Sequence, residues 1–319
     1  MKILITGGAG FIGSNYVRMH LEQNPSDQIV NLDKLTYAGR KESLVDIEGN
    51  ENYEFIQGDI CDAEAVEKAM KDCDTVINFA AESHVDRSLE DSRHFAESNF
   101  FGVRVLCEQA KKQGIEKFVQ ISTDEVYGQI KEGSFTEQSV ARPRNPYSAA
   151  KAAGELLAMS YFETFELPVV VTRSSNNYGP YQFPEKVMPL FITNLMQGKK
   201  VPLYGEGLQI RDWLYVGDNC EGIKTVFEKG KLGEIYNIGG GNEIRNIDLT
   251  KMILEAMDKG EEMIEKVPDR IGHDFRYSLD CSKIEKELGW KPKKSFEEGL
   301  KETVDWYKNN EQWWKPLVK

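Results

Sequence analysis

The first part of the chain alternates short apolar runs with longer amphipathic segments. The apolar runs have the length of buried strands, and they lie at residues 2–6, 29–33, 53–57, 75–79, 118–121 and 167–172. Helical patterns follow the first run to about residue 23 and then cover residues 63–71, 92–113 and 147–165. Because strands that alternate with helices form parallel sheets covered on both faces, we predict a Rossmann-like, doubly wound α/β domain over residues 1–175.

The texture changes after Arg173. A polar, turn-rich loop is followed by shorter and less periodic elements, with helices predicted at residues 187–197, 248–259, 282–288 and 296–308. We therefore predict a smaller C-terminal α/β lobe over residues 176–319 that binds the substrate. Parts of roughly 210–237 are expected to return to the first domain.

Composition narrows the possible partners. The 319 residues carry 40 basic and 52 acidic side chains, a formal net charge of −12. Nucleic acids and anionic membrane surfaces both require a basic surface, so we expect neither as a partner. An anionic ligand must instead be held by a local basic cluster or by backbone amides.

The five cysteines indicate a reducing compartment. Their number is odd and none forms a CxxC pair, which argues against a disulfide or zinc framework. No apolar run approaches the roughly 20 residues of a membrane span, and the N-terminus reads as a strand rather than a signal peptide. We expect a cytoplasmic protein without a bound metal.

A glycine turn follows the first predicted strand. Gly7, Gly10 and Gly13 lie between this strand and the next helix, which is the spacing of a dinucleotide-binding turn. The glycines permit close approach of a pyrophosphate, and the helix N-terminus supplies amide donors. Asp33 ends the second strand about 20 residues later, where an acidic side chain accepts hydrogen bonds from the adenosine ribose and repels a 2′-phosphate. This favours NAD over NADP, although Asp33 could also be a simple turn residue.

The strongest candidate for chemistry is the stretch from residue 117 to residue 151. A buried strand over residues 118–121 gives way to a loop that carries Thr123-Asp124-Glu125, and a helix then begins near Tyr147 and carries Lys151 one turn further. A phenol beside an ammonium has its phenolate stabilised and can act as a base near neutral pH. A lone pair with this spacing is more often a surface feature. The carboxylate loop and the glycine turn upstream favour the catalytic interpretation.

Two basic and aromatic segments stand out in an acidic chain. Arg211 lies in one and Arg270 in the other, and two arginines from distant segments could hold a pyrophosphate bidentately. Two surface arginines in ordinary salt bridges are an equally good interpretation from sequence alone.

Several segments together resemble a known family. TGGAGFIG, LDKLTYAG, AAESHVDRS, STDEVYG, NPYSAAKAAGE, RSSNNYGPYQFPEKVMP and PDRIGHDFRY resemble the extended short-chain dehydrogenase/reductase superfamily and, within it, the dTDP-glucose 4,6-dehydratase family. The similarity covers about residues 1–300. Tyr147, Lys151 and the glycines specify only the superfamily. The adjacent Asp124 and Glu125 are more specific, because epimerases of this fold lack the pair.

The resemblance implies a reaction and a role for each catalytic residue. Tyr147, with Lys151, takes the proton of the sugar C4 hydroxyl while hydride passes to NAD, and Thr123 hydrogen-bonds the C4 oxygen. Glu125 then removes the C5 proton, Asp124 protonates the leaving C6 hydroxyl, and hydride returns to C6. Opposite proton-transfer tasks require different pKa values, with Asp124 protonated at the start.

The resemblance also assigns binding residues to two ligands. The NAD set comprises Gly7, Gly10, Phe11, Ile12, Gly13, Asp33, Lys34, Leu35, Thr36, Asp59, Ile60, Ala80, Ala81, Ser83, Ser98, Tyr147, Lys151 and Asn177. The set for the nucleotide-sugar substrate, dTDP-glucose, comprises Ser83, Thr123, Asn176, Lys186, Val187, Pro202, Tyr204, Arg211, Asn246, Arg270 and His273. A homodimer is likewise implied by the resemblance.

Alternatives remain open at this point. Another NAD-dependent nucleotide-sugar dehydratase, decarboxylase or epimerase would share most of these motifs, and the residues do not by themselves fix the nucleobase. A catalytically silent NAD sensor is a different class of protein. It would need the glycine turn and Asp33, but not the intact set of Asp124, Glu125, Tyr147 and Lys151.

Overall fold

The computed structural model describes residues 1–269 and 272–318, and its elements are numbered here in chain order. The strands are β1 (Lys2–Thr6), β2 (Gln28–Asp33), β3 (Tyr53–Gln57), β4 (Thr75–Asn78), β5 (Lys117–Thr123), β6 (Val169–Ser174), β7 (Asn176–Tyr178), β8 (Val201–Tyr204), β9 (Ile210–Tyr215), β10 (Ile235–Ile238), β11 (Glu243–Arg245) and β12 (Ile264–Val267). The helices are α1 (Phe11–Gln23), α2 (Ala63–Met70), α3 (Val85–Glu90), α4 (Arg93–Ala96), α5 (Val103–Gln113), α6 (Pro146–Phe165), α7 (Val187–Met196), α8 (Val216–Lys229), α9 (Asn246–Ala256), α10 (Ser282–Leu288), α11 (Phe296–Asn309) and α12 (Glu311–Trp314). Short 3-10 turns lie at Lys41–Ser43, Asp124–Tyr127, Glu261–Met263 and Lys315–Leu317, and a π-helical turn lies at Glu97–Gly102.

A parallel sheet organises the larger part of the molecule. Within the described ranges it has seven strands in the order β3-β2-β1-β4-β5-β6-β10. The strand order reverses between β1 and β4, and ligands of open α/β sheets bind in the crevice at such a switch point. The predicted doubly wound α/β fold is confirmed.

Both faces of this sheet are buried, which explains why its strands read as nearly continuous apolar runs. On β1, Ile3 and Ile5 pack into one apolar cluster with α1 and α8, while Leu4 points into a second cluster with α2 and α5. The alternation follows from the two-residue period of a strand. Because both faces are covered, the carboxyl ends of the strands form the open edge of the sheet, and polar side chains lie there.

The C-terminal part of the chain contributes to two different cores. Strands β7, β9 and β11 form a small sheet, β8 pairs with β12, and α7, α9 and α11 pack around them in a third apolar cluster. In contrast, β10 pairs with β6 in the large sheet, and α8 and α10 pack in the first cluster. The predicted boundary at residue 175 stays a prediction, but residues 216–238 pack with the large sheet.

The helix predicted over residues 92–113 is interrupted. Instead of one continuous α-helix, the chain forms α4, the π-helical turn and α5 in succession. Inside the turn, Asn99 accepts a hydrogen bond from the Glu82 amide and donates one to the Glu82 carbonyl, at 3.0 and 2.9 Å. A Cβ added at Gly154 of α6 would lie only 2.0 Å from the Asn99 carbonyl oxygen. These tertiary contacts occur where the helix changes from α-helical to π-helical hydrogen bonding. The pattern of apolar residues in the sequence does not reveal such contacts.

No helix in residues 1–269 or 272–318 is long and apolar enough to span a bilayer.

Candidate active site

The glycine turn lies at the switch point of the large sheet, between β1 and α1. Gly7 adopts a φ of +72°, and a Cβ there would lie 2.5 Å from the backbone nitrogen of Ala80, just after β4. A Cβ at Gly13 would lie 2.3 Å from the Gly7 carbonyl oxygen. Only glycine therefore fits these two positions. The turn delivers the N-terminus of α1, with its unpaired amides and positive dipole, to the open edge of the sheet.

Asp33 joins this turn to the end of β2. Its Oδ2 accepts a hydrogen bond from the Ala9 amide at 2.9 Å, and its Oδ1 accepts one from the Leu35 amide at 2.8 Å. Burial raises the pKa of Asp33, and the two amides oppose the rise. The carboxylate is thus fixed in orientation beside the turn, where the sequence places a ribose.

A groove runs along the carboxyl ends of the strands from the glycine turn to α6. Most of the residues predicted to bind the cofactor line it: Gly7, Gly10, Phe11, Ile12, Gly13, Asp33, Lys34, Thr36, Asp59, Ile60, Ala80, Ala81, Ser83, Ser98, Tyr147 and Lys151. Leu35 and Asn177 are not among its described lining residues. The glycine cradle, the start of α1 and the buried acid together fit a dinucleotide with an unphosphorylated ribose.

Sequence reasoning missed part of the groove wall. Glu82, Gln182, Phe183 and Glu185 also line the groove. All four lie within the motifs AAESH and YGPYQFPEK. Their position in segments that carry the family resemblance is the feature from which they could have been predicted. The lobe therefore closes one side of the groove through the loop that precedes α7.

The two adjacent carboxylates lie in a 3-10 turn that directly follows the carboxyl end of β5. Thr123 accepts the Glu125 amide at 3.3 Å, and its hydroxyl donates to Oδ1 of Asp124 at 3.2 Å. Asn145, the N-cap residue of α6, donates its side-chain amide to Oε2 of Glu125 at 3.3 Å. The start of α6 is thereby tied to the turn that carries both acids.

The two acids experience different surroundings. Asp124 is fully buried, and its Oδ2 has no hydrogen-bond partner among the described residues. Burial, followed by the charges of Glu125 and Asp212, raises the pKa of Asp124 well above its ordinary value. Glu125 is only half-buried. Its surroundings therefore favour the neutral form of Asp124, which is the form that a proton donor needs.

Tyr147 and Lys151 share the buried face of α6, as their spacing predicts. Lys151 donates through Nζ to the Ile121 carbonyl at 2.6 Å, and burial lowers its pKa to about 8 against the opposing charge of Glu155. Burial and the charge of Glu125 raise the pKa of Tyr147, while a hydrogen bond with Thr123 opposes the rise. The hydrogen bond with Thr123 is the contact that favours the phenolate here, and stabilisation of the phenolate by Lys151 stays a prediction.

The residues predicted to bind the substrate lie in several parts of the lobe. Asn176 belongs to β7, as does Asn177 of the predicted NAD set, and each has a buried Oδ1 without a hydrogen-bond partner among the described residues. Lys186 precedes α7 and donates to the Ser83 carbonyl at 2.8 Å. Val187 begins α7, Pro202 lies in β8, and Asn246 begins α9.

The remaining predicted substrate residues surround the end of β8. The rings of Tyr204 and His273 meet edge to face at 6.1 Å, and His273 Nδ1 lies 2.7 Å from Asp269. Arg211 is buried, donates to the carbonyls of Ile210 and Asp274, and stacks on a tyrosine ring. The predicted partner of Arg211, Arg270, lies outside the described residues.

The chain is similar to known proteins in both sequence and structure. A family described as GDP-mannose 4,6 dehydratase matches residues 4–303. A dTDP-glucose 4,6-dehydratase of Streptomyces niveus is 51% identical over 99% of this chain and 96% of its own length. The crystal structure of DesIV, a dTDP-glucose 4,6-dehydratase from Streptomyces venezuelae with NAD bound, superposes with a TM-score of 0.98 at 47% identity over both full chains. The Bacillus anthracis dTDP-glucose 4,6-dehydratase in complex with NAD gives 0.94 at 47% identity, again over both full chains.

Proposed function

Because the chain belongs to the family described as GDP-mannose 4,6 dehydratase and is similar throughout to dTDP-glucose 4,6-dehydratases, we infer that it is an NAD-dependent enzyme of that activity. It converts dTDP-glucose to dTDP-4-keto-6-deoxyglucose and water. The reaction is an oxidation at C4, an elimination across C5 and C6, and a reduction at C6, so the enzyme is a hydro-lyase.

One observation in the site carries this function: two adjacent carboxyl groups lie in different surroundings. Asp124 is buried, which raises its pKa well above its ordinary value, and Glu125 is half-buried beside Asn145. Elimination of water needs an acid at C6 and a base at C5, and these carbons are neighbours. Adjacent residues of a tight turn suit that task.

We propose the following roles for the residues of the chain. The glycine turn and Asp33 hold the dinucleotide, and bound NAD supplies the ring that accepts and later returns the hydride. Tyr147 takes the proton of the C4 hydroxyl, helped by Thr123, whose contact lowers the pKa of the phenol. Lys151, which donates to the Ile121 carbonyl, supplies a cation on the same helical face one turn from Tyr147.

Elimination then falls to the carboxylate pair. Glu125 removes the proton that the 4-ketone has made acidic at C5, and Asp124 gives its proton to the departing C6 hydroxyl. Glu125 returns its proton to C5 as the reduction at C6 forms the product. Tyr147 then releases the proton that it took from the C4 hydroxyl, and Asp124 regains one in place of the proton that left with water. With this exchange both groups return to their starting state, so neither an external base nor an external reductant is consumed over one turnover.

We also propose that the lobe binds the nucleotide part of the substrate. The residues assigned to it are Asn176 in β7, Lys186 and Val187 at the start of α7, Pro202 and Tyr204 in β8, Arg211 in β9, Asn246 at the start of α9, and His273. The family resemblance adds Arg270, which lies outside the described residues. The buried, unpaired Oδ1 of Asn176 supports this assignment, since an unpaired buried acceptor suits a ligand donor.

The function is tested with a panel of nucleotide sugars. Purified enzyme is incubated with dTDP-glucose, UDP-glucose and GDP-mannose, and products are identified by mass spectrometry and by the alkaline absorbance of 4-keto sugars. We expect loss of one water from dTDP-glucose, with no net accumulation of NADH. Exclusive turnover of another nucleotide sugar would reassign the substrate, and epimerised product without water loss would indicate an epimerase. NAD binding without any turnover would indicate a sensor.

We further propose a homodimer. Large apolar side chains are exposed on the π-helical turn and on α6, with 51% exposure for Phe101, 62% for Leu156 and 50% for Phe165. Neighbouring exposed apolar side chains on two helices are typical of a protein interface. Light scattering coupled to gel filtration should give twice the chain mass, and Leu156→Lys should shift the population toward monomer.

Two finer proposals concern the cellular setting. The 4-keto-6-deoxy product is the kind of intermediate that deoxysugar synthesis of the rhamnose type consumes, and we place the enzyme there. We also propose a cytoplasmic location, which the five free cysteines of the described chain support. Detection of the product pool in cytosolic extracts, and its loss on gene deletion, would test both.

A further inference from the structure

A cluster of three side chains joins segments that border the groove, and the catalytic roles use none of the three. The Tyr37 hydroxyl donates to Oε1 of Glu185 at 2.7 Å, and Arg87 Nε lies 3.4 Å from Oε2 of the same carboxylate. The Arg87 guanidinium also stacks on the Tyr37 ring at 3.7 Å. We refer to Tyr37, Arg87 and Glu185 as the clasp.

The clasp joins three segments that lie far apart in the sequence. Tyr37 lies in the loop after β2, Arg87 lies in α3 after the β4 loop, and Glu185 lies in the loop before α7. Each segment also lines the groove, through Thr36, through Ser83 and through Glu185 itself. The clasp therefore connects both sheet loops that border the cofactor site to the lobe segment on the opposite wall.

The Tyr37 to Glu185 hydrogen bond is the principal link in the clasp. The Glu185 side chain is 16% exposed, whereas that of Arg87 is 49% exposed. Ion pairs open to solvent contribute little, but a hydrogen bond to a half-buried carboxylate is substantially stronger. Burial and the bond to Glu185 raise the pKa of Tyr37, so the hydroxyl keeps its proton and remains a donor. Phe183, from the same lobe loop, packs edge to face on the Tyr37 ring at 5.4 Å.

We propose that the clasp retains NAD by holding the lobe loop of residues 183–185 against the sheet loops along the groove. This inference rests on the proposed function, in which the cofactor is oxidised again within each turnover and has no need to leave. A groove formed by three separate loops releases its ligand when those loops part, and the clasp opposes that separation. Its loss raises the rate of NAD dissociation without touching the reacting atoms.

The test measures cofactor release directly. Enzyme loaded with NAD is mixed with excess alcohol dehydrogenase and ethanol, which reduce each NAD molecule that dissociates, and the appearance of NADH reports the release rate. Tyr37→Phe removes the donor but keeps the ring between Phe183 and Arg87. Glu185→Gln keeps the size of the acceptor and removes its charge. Tyr37→Phe should release NAD about tenfold faster, the effect of losing a hydrogen bond to a charged group. Glu185→Gln should also release NAD faster, because a hydrogen bond to a neutral acceptor is weaker than one to a carboxylate.

The chain offers a matched control. Tyr215 donates to Glu302 at 2.5 Å, and Lys294 pairs with the same carboxylate and lies 4.6 Å from the Tyr215 ring. This is the same arrangement of tyrosine, glutamate and cation, but none of the three residues lines the groove among the described residues. Tyr215→Phe should release NAD at the parental rate.

The double variant of Tyr37→Phe and Glu185→Gln distinguishes a shared contact from two separate effects. If both residues act through one contact, the double variant should release NAD no faster than the faster single variant. Release rates within twofold of the parent for both single variants would overturn the proposal, as would equal acceleration by Tyr215→Phe. A parent that binds no NAD at all would instead contradict the proposed function, so the two failures are distinguishable.

Discussion

Replacement of Asp124 by asparagine tests whether its carboxyl group is neutral in the folded enzyme. Burial, followed by the charges of Glu125 and Asp212, raises its folded pKa well above the value in an unfolded chain. Between these two pKa values the folded protein keeps a proton that the unfolded chain has released. The parent therefore loses stability as the pH rises through this window, and the variant, whose asparagine amide does not titrate, lacks that loss.

The size of the effect follows from linkage. One proton held only by the folded state changes the free energy of unfolding by about 1.4 kcal/mol per pH unit. From about pH 5 to about pH 7 the stability of Asp124→Asn, relative to the parent, should thus rise by up to about 3 kcal/mol if the folded pKa lies above this range. Urea unfolding with saturating NAD, followed by circular dichroism at several pH values, measures the difference.

Asp280→Asn is the control for this experiment. The Ser282 amide lowers the pKa of Asp280, so its contribution to stability is present above about pH 4 and is lost only as the pH falls below it. A plot of its free energy of unfolding against pH should run parallel to that of the parent from about pH 5 to about pH 8. If Asp124→Asn also runs parallel there, Asp124 is ionised in the folded state and cannot be the acid. Loss of the acid should also slow water elimination by about 10²–10⁴-fold while C4 oxidation persists.

The remaining predictions concern three other residues. Glu125→Gln should still oxidise C4 but should stop deuterium exchange from solvent into C5, as followed by NMR, and normal exchange would reassign the base. Asp33→Asn should raise the affinity for NADP relative to NAD about tenfold or more in fluorescence titrations, because the 2′-phosphate no longer meets a carboxylate; an unchanged ratio would remove Asp33 from the ribose. Because the pKa of Lys151 is about 8, C4 oxidation by the parent should fall above about pH 8 as the ammonium is lost, and Lys151→Arg should move that fall to higher pH, as single-turnover rates would reveal.

Local sequence patterns predicted those parts of the site that lie close together in the chain. The glycine turn needs only residues 7–13, and Tyr147 meets Lys151 because residues four apart share a helical face. Even here the boundaries shifted slightly. The strand predicted to end at Ile121 extends to Thr123, because Thr123 pairs with Ser174 of the neighbouring strand. Pairing between distant strands is not visible in the apolar run itself.

Other features depended on contacts that no local pattern contains. The π-helical turn accompanies the bonding of Asn99 to a loop 17 residues away. The bond between Tyr37 and Glu185 joins residues 148 apart in the sequence. The pKa of Tyr147 is a third example, since the spacing to Lys151 suggested a stabilised phenolate while full burial and the charge of Glu125 act in the opposite direction. The spacing of two residues in the sequence shows that their side chains are neighbours. Only the packed structure shows how far those side chains are removed from water.

The protonation of the acid depends on both halves of the molecule. Asp124 belongs to the sheet domain, but Asp212, one of the two charges that raise its pKa, belongs to β9 of the lobe. Asp212 is itself fixed by the amides of Gly240 and Asn242 at 3.0 and 2.7 Å. Arg211, next to Asp212 in the same strand, acts in the opposite direction by lowering the pKa of Asp124. The position of β9 therefore contributes to the pKa of Asp124, after burial and the charge of Glu125.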